Sequence, residues 1–446
     1  MMIAQPDIVR NLVRGNRSRP CRKLSVLPNL RRFQMVLRIK QAIGACILAS
    51  ALLPAIPVHA ATYYVAPTGS NTNPGTETQP WQTVAYAVNT MVAGDTTYVR
   101  GGLYIEGMMQ FKTSGRQSAP IKLLNYPGES PIIDCNSVGL NMVLIQHANG
   151  DLVPMGYITI EGFEIRECYC GIKWGHLHDG VIRGNWVHHN RTQGILGNSG
   201  MRNLIDRNII NSNGRVTTQD HGIYANGNSI TITNNVIYDN MCFGIQHNGA
   251  KNYNPAKHPG REWEESQNWI IANNTIAYQR NCAGLVEWGP HADNSRIENN
   301  IFYENRVKGT ASQSNAVHFT GIGGPTGSTG MLFRNNLVYA SGSGGMHFFT
   351  KTPYSVEGVN YTQSGNIVNT LNPKFVNAPE ILPASPNFAL TAQSPAIDEG
   401  LTIAETKTDF LGAARPQGRA YDIGAYEYKA GGDSQAPNRV QNVRLK

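Results

Sequence analysis

An apolar residue, two intervening residues, an asparagine, one more residue and a second apolar residue recur through the middle of the chain. The pattern reads Ile182–Asn185–Val187, Ile205–Asn208–Ile210, Ile232–Asn235–Ile237, Ile271–Asn274–Ile276, Ile297–Asn300–Phe302 and Phe333–Asn336–Val338. Ile160–Phe163–Ile165 keeps the frame with Phe in place of Asn. A second asparagine often follows, at Asn190, Asn213, Asn240 and Asn305, and then a glycine–apolar pair: Gly171-Ile172, Gly194-Ile195, Gly222-Ile223, Gly244-Ile245, Gly284-Leu285 and Gly345-Met346. Successive Asn columns lie 23, 27, 39, 26 and 36 residues apart. The unit is therefore one coil with insertions of variable length.

Short β-branched segments between Asn/Gly corners are too brief for helices and read as strands. One unit cannot bury its own apolar face, so neighbours must stack. Parallel stacking places equivalent residues about 4.8 Å apart, and Asn over Asn at a corner can satisfy the turn backbone. The twenty asparagines of residues 203–305 are read mainly as corners rather than as a glycan-binding row. The expected fold is all-β, a parallel solenoid.

Charge changes the functional picture once it is located. Ten of the 38 basic residues and one of the 30 acidic residues lie in residues 1–60, leaving 28 basic against 29 acidic in the remainder. The body lacks the positive field that nucleic-acid binding needs. Residues 1–60 read as a signal peptide: Arg38 and Lys40 precede the apolar run Ala42–Val58, and small residues follow near Ala60. Met35 is an alternative start, because a conventional signal begins there. Pro54 and Pro57 break a run already too short for a membrane span, so the expected product is secreted or periplasmic. Five cysteines remain after the leader, with no metal-ligand spacing. Cys242 and Cys282 occupy equivalent positions in consecutive coils, as either a disulfide or an unoxidised pair.

Residues 62–104 (Thr62–Val65 as a strand, Ser70–Gly75 as a polar turn, Trp81–Val88 as a short cap helix, then Thr97–Val99) resemble the opening of secreted right-handed parallel β-helix proteins of the pectin-lyase-like superfamily, including family 9 polysaccharide lyases. Ser394–Asp398, Thr408–Phe410, Arg415-Pro416 and Asp422–Tyr428 resemble their closing segment. The resemblance implies a right-handed β-helix domain over 61–428, with 429–446 a linker or the start of a further module. It also implies an acidic (uronate) polysaccharide as partner, and lyase or epimerase chemistry.

Such chemistry needs a base, an acid and a neutraliser of the substrate carboxylate. If the Ile of each Gly-Ile element faces inward, the next residue faces out. That outward column reads Lys173, Leu196, Tyr224, Gln246, Val286, His318 and His347. Lys173, Asp220, His221 and Tyr224 are the candidate catalytic residues, with Asp220 orienting or charging its neighbours. Gln246, His247, Glu287, Trp288 and His318 are candidate substrate contacts, together with Arg261 and Trp263 of the insertion Gly249–Gln267. The family brings calcium in as a possible cofactor, but Asp179, Asp206, Asp220, Asp239 and Asp293 are scattered and predict no clustered metal site. Two rival functions are a non-catalytic, adhesive glycan-binding solenoid and a glycoside hydrolase. The hydrolase would need two carboxylates about 5–9.5 Å apart, and Asp220 with Glu287 is the only pair on offer.

Overall fold

The structure, a computed structural model, describes residues 60–136, 139–146, 153–215, 219–249, 265–289, 291–305, 317–319, 328–341, 346–348 and 356–431. All of them fall in the compact unit Val58–Lys446. Nearly the whole leader and most of the 429–446 tail lie outside the described residues.

The repeated coils close into a right-handed parallel β-helix. Three long sheets form its walls. The first has 11 strands, from Thr62–Val65 to Tyr361–Ser364; the second has 10, from Gly102–Ile105 to Ile367–Val368; the third has nine, from Met109–Phe111 to Met346–Phe348. Each coil visits them in that order. The inward residues stack by type: Ile160, Ile182, Ile205, Ile232, Ile271 and Ile297 on the first wall, Val187, Ile210, Ile237 and Ile276 on the second, and Ile172, Ile195, Ile223 and Ile245 on the third. All are essentially inaccessible, and each such side chain contributes roughly 1.5–3 kcal/mol of apolar burial.

The corner between the first and second walls explains the asparagine. The residue before it takes left-handed backbone, from Gly184 (φ 60°) and Arg207 (55°) to Asn234, Asn273, Asn299 and Asn335 (49–54°). That turn leaves backbone groups facing the interior. Each Asn carboxamide fills the gap: Nδ2 donates to a carbonyl of the preceding coil and to the next Asn Oδ1, which also accepts the backbone N–H above it. Asn185, Asn208, Asn235, Asn274, Asn300, Asn336 and Asn366 form one continuous amide ladder with 3.0–3.1 Å contacts. Asn190, Asn213, Asn240, Gln279, Asn305 and Ser341 form a second, after the second wall.

Double asparagines have a separate purpose. The first of each pair points outward and pins the C-terminal segment: Asn273 Nδ2 donates to the Asp422 carbonyl, Asn299 to Leu401, Asn335 to Glu399, and Asn234 Oδ1 accepts from Arg415. Arg415 and Glu427 form a fully buried ion pair at 2.6 Å, and Phe388, Leu390, Ile423 and Tyr426 cover the later strands of the second wall. The cap helix is Val84–Thr90, later than expected. Trp81 bridges to Val65 and Thr83 caps the helix through its side chain. Disulfides join Cys135 to Cys168 and Cys242 to Cys282, and Cys170 is a buried free thiol.

Replacing Asn274 by Ala removes the acceptor of the Asn235 backbone N–H and the donor to the Ile232 carbonyl, both buried. We expect a loss of about 2–5 kcal/mol in chemical denaturation. A loss below about 1 kcal/mol would mean that the ladder is not what holds the corner.

Candidate functional site on the third wall

Strand registers put Gln110, Leu144, Lys173, Leu196, Tyr224, Gln246 and Val286, the outward residues of the third wall, in one file, and the backbone register aligns His318 and His347 with them. The anticipated column is therefore the order in space. Its members differ in accessibility. Lys173, Leu196 and Tyr224 are half-buried, whereas Gln246 is buried and Val286 wholly so. Lys173 and Tyr224 stand two coils apart, roughly 10 Å between strands, with Leu196 between them.

Asp220 and His221 lie behind this wall. His221 is 0 % exposed. Its ring sits edge-on to Tyr224, centroids 5.6 Å apart, and against Phe243. Nδ1 accepts the Phe243 backbone N–H at 3.2 Å, which leaves the proton of the neutral ring on Nε2. Burial pushes the imidazole down to about 3, partly opposed by the Gln246 side chain. His221 is thus a buried, neutral corner residue packed edge-on against Tyr224. Asp220 is 3 % exposed, and its carbonyl accepts from Cys242. It and Lys173 both act electrostatically on the buried Cys170 thiol, which burial raises to about 12. Burial also raises the Tyr224 phenol, keeping it a proton donor.

His247 and Glu287, expected as sugar contacts, are corrected to core residues. Alternation along the strand returns the residue after each outward one to the interior, so they continue the inward file of Trp174, Gly197 and Ala225. His247 Nδ1 meets Glu287 Oε1 at 2.8 Å, Nε2 meets the Ser266 carbonyl at 3.0 Å, and the ring stacks on Trp269 at 3.8 Å. Burial raises Glu287, and the His247 charge opposes this. Gln246 is likewise too buried for direct sugar contact. Trp288 is half-buried against Phe243, Val286 and the Cys242–Cys282 bridge. His318 holds its place in the file, while Arg261 and Trp263 lie outside the described residues.

Among the described residues the carboxylates do not form a calcium site. Calcium takes six to eight oxygen ligands, and among the described residues no three His, Cys, Asp or Glu side chains converge. Asp179 is committed to Arg202, Asp206 to Arg183 and Arg207, and Asp239 to Arg280. The outward amides of the double asparagines lie outside the sequence expectations. Their signal was the Asn-Asn pair itself, repeated in four coils.

Because His221 is held neutral when folded and titrates near its ordinary value of about 6.5 when unfolded, the unfolded chain binds the extra proton. Stability is intact above about pH 6.5 and falls as pH drops towards 3, by on the order of 4 kcal/mol. His221→Gln, which keeps an acceptor for Phe243, should move the acid-unfolding midpoint to lower pH. An unchanged midpoint would remove His221 as the acid-sensitive group.

No helix among the described residues is long and apolar enough to cross a membrane. The curated protein "Pectate lyase PEL9" of Emericella nidulans is 46% identical over 86 residues, 19% of this chain and 20% of that protein. "Uncharacterized protein YwoF" of Bacillus subtilis is 40% identical over 75 residues, 17% and 16% respectively. The chain thus matches a fifth or less of the length of these relatives. The crystal structure of pectate lyase Pel9A superposes with a TM-score of 0.54 at 17% identity, covering 82% of this chain and 96% of that one, a likeness of fold. Residues 63–322, more than half the chain, match the family described as "Pel9A-like, right handed beta helix region". With three parallel walls, amide-laddered corners and that match together, the chain belongs to the Pel9A-like right-handed β-helix family.

Proposed function

We propose that the protein is an exported polysaccharide lyase or epimerase that binds an acidic, uronate-containing polysaccharide along the third wall. One observation carries the reading: Lys173 and Tyr224 are two half-buried side chains able to transfer a proton, in a single outward file, and in this reading the neutral Lys173 amine and the Tyr224 phenol bracket one sugar. The Lys173 amine takes the proton at C5, which the adjacent carboxylate makes acidic. The C5–H electrons form the C4–C5 double bond as the C4–O bond breaks, and the Tyr224 phenol delivers a proton to the departing oxygen. For epimerisation the same phenol returns the proton to C5 from the opposite face. Leu196, between the two, offers an apolar contact for the ring. Asp220 and His221 act from behind, as charge and as support. Family membership and the leader pattern favour a secreted glycan-active protein, and the related pectate lyase's name points to the same substrate class.

A glycoside hydrolase would need two carboxylates on the wall, and both Asp220 and Glu287 are buried. The non-catalytic solenoid remains the second reading, because burial of five of the expected site residues leaves a sparse wall.

Incubation with polygalacturonate, alginate and glycosaminoglycans should produce absorbance at roughly 232–235 nm, or inversion at C5 seen by NMR, with at least one of them. Lys173→Ala and Tyr224→Phe should each lower kcat/KM by roughly 10²–10⁴-fold with unchanged circular dichroism. Retention on a uronan without any turnover would favour the adhesive solenoid; neither product nor retention would end both readings.

A further inference from the structure

The third wall carries a second outward file beside the one that holds Lys173 and Tyr224. Strand alternation turns Gly197 and Ala225 into the core, so Asn198 and Asn226 face out again, two residues beyond Leu196 and Tyr224. Their backbone N–H groups still donate to the coil before, Asn198 to Trp174 and Asn226 to Gly197, and both residues are half-buried. Leu196 and Asn198 belong to the coil that lies between those of Lys173 and Tyr224. From the coil of Lys173 to that of Val286, neither file holds an Asp or Glu.

We propose that Asn226 is the residue that holds the substrate carboxylate, with Asn198 beside it, and that this contact selects a uronate over a neutral sugar in the gap between Lys173 and Tyr224. The inference rests on the third-wall reaction and supplies the neutraliser which that chemistry needs. The Asn226 amide has one orientation. The Ser199 backbone N–H donates to it at 2.7 Å; a backbone N–H can only donate, so the accepting atom is Oδ1 and the other is the NH2 group. Ser199 is fixed on its other side, because its carbonyl accepts the indole N–H of Trp174 at 2.9 Å, and Trp174 is wholly buried. Oδ1 reaches back one coil, so the amide leans towards the coil of Leu196. Among the described residues Nδ2 has no hydrogen-bond partner and is not sealed from solvent.

An NH2 group held in this way is a donor without acceptor capacity on the side it presents. A carboxylate takes a charge-assisted bond from it, roughly twice as strong as a neutral one, whereas a hydroxymethyl group at the same carbon brings no charge to the contact. Hydrogen bonds to the carboxylate also stabilise the charge that develops there as the C5 proton leaves. Strand geometry sets Asn226 about 6.6 Å from Tyr224 along the strand and about 4.8 Å from Asn198 across the coils, so one uronate residue spans the phenol, Leu196 and both amides. Ser199 and Trp174 are positioning residues that act through Asn226.

Calorimetry on the full chain with trisaccharides of galacturonate, mannuronate and guluronate, each beside its carboxyl-reduced counterpart, tests it. The wild type should bind at least one uronate trisaccharide more tightly than the reduced form. Asn226→Asp keeps an acceptor for Ser199 but sets a carboxylate against a carboxylate. It should weaken uronate binding and kcat/KM by about 100-fold and leave the reduced sugar within about threefold, a split that a purely structural role would not produce. Should Asn226→Asp fail to fold, Asn198→Asp decides, with about tenfold weaker uronate binding expected. Unchanged uronate binding by the variant, or equal weakening of the acid and reduced forms, overturns the assignment of Asn226 while wild-type turnover of a uronan keeps the lyase reading. Failure of the wild type to bind or convert any uronate ends both.

Discussion

Every wall of this molecule depends on the backbone of one corner being satisfied. A residue in left-handed conformation turns the chain sharply between the first and second walls, and the following asparagine saturates the groups that the turn exposes to the core. The ladder contacts stay at 3.0–3.1 Å while the sequence separation of their partners varies from 23 to 39 residues. Coil length is therefore free outside the stretch from this corner to the second ladder. The sequence places its insertions before the third wall, as between Asn213 and Ile223 and between Asn305 and Val317, or after it, as between Asn248 and Ser266, and none between the ladder asparagine and the next strand. Surfaces that vary are thereby held on one that does not.

The same rigidity limits which residues can do chemistry. With strands fixed in register, alternation decides direction, and side-chain type does not. Volume is then adjusted between neighbouring coils: the Trp174 ring occupies the space above Gly197, where a Cβ would come within 2.1 Å of it. His247 and Glu287 sit further along that inward file as a buried pair. Two charge-capable groups there are expensive to bury, and their mutual contact together with Ser266 offsets the cost. Ser266 Oγ also donates to the Asn248 carbonyl, and Gly249 donates to the Trp288 carbonyl. The pair is thus placed where the chain leaves and re-enters the wall around the insertion, a structural task that accounts for its position without substrate contact.

What the sequence makes legible follows from period. Six asparagine columns, the inward isoleucine stacks and the outward file from Lys173 to Tyr224 could all be read because each coil repeats the same local physics. Residue chemistry misled where it competed with period. His221 precedes a Gly-Ile turn and His247 and Glu287 follow an outward residue, so alternation alone directs them inward, yet their reactive side chains drew them into the site. The Cys135–Cys168 bridge joins Cys168, a residue in the second-ladder position whose N–H donates to Asn190 Oδ1, to Cys135 of the coil before, and no repeat of cysteines signals it. The cap helix begins at Val84 because Trp81 is held as a bridge to Val65, a tertiary contact that amphipathic spacing cannot reveal.

The three walls consequently divide their surfaces. Charged pairs such as Arg183–Asp206 and Arg334–Glu298 occupy the outer side of the first, so its polar groups are largely spent on one another. The later half of the second is covered by the C-terminal segment, clasped through Arg415, Glu427 and the outward asparagines. On the third, apolar burial at Val286 and the Cys242–Cys282 cluster closes one stretch, and Lys173, Leu196 and Tyr224 keep the adjoining one accessible. In the proposed reaction a ligand that spans several coils lies along that file, between the Lys173 amine and the Tyr224 phenol, whose proton burial retains. Placing either group one residue along its strand would turn it into the core, so the reaction proposed here is tied to the register that the asparagine corner enforces.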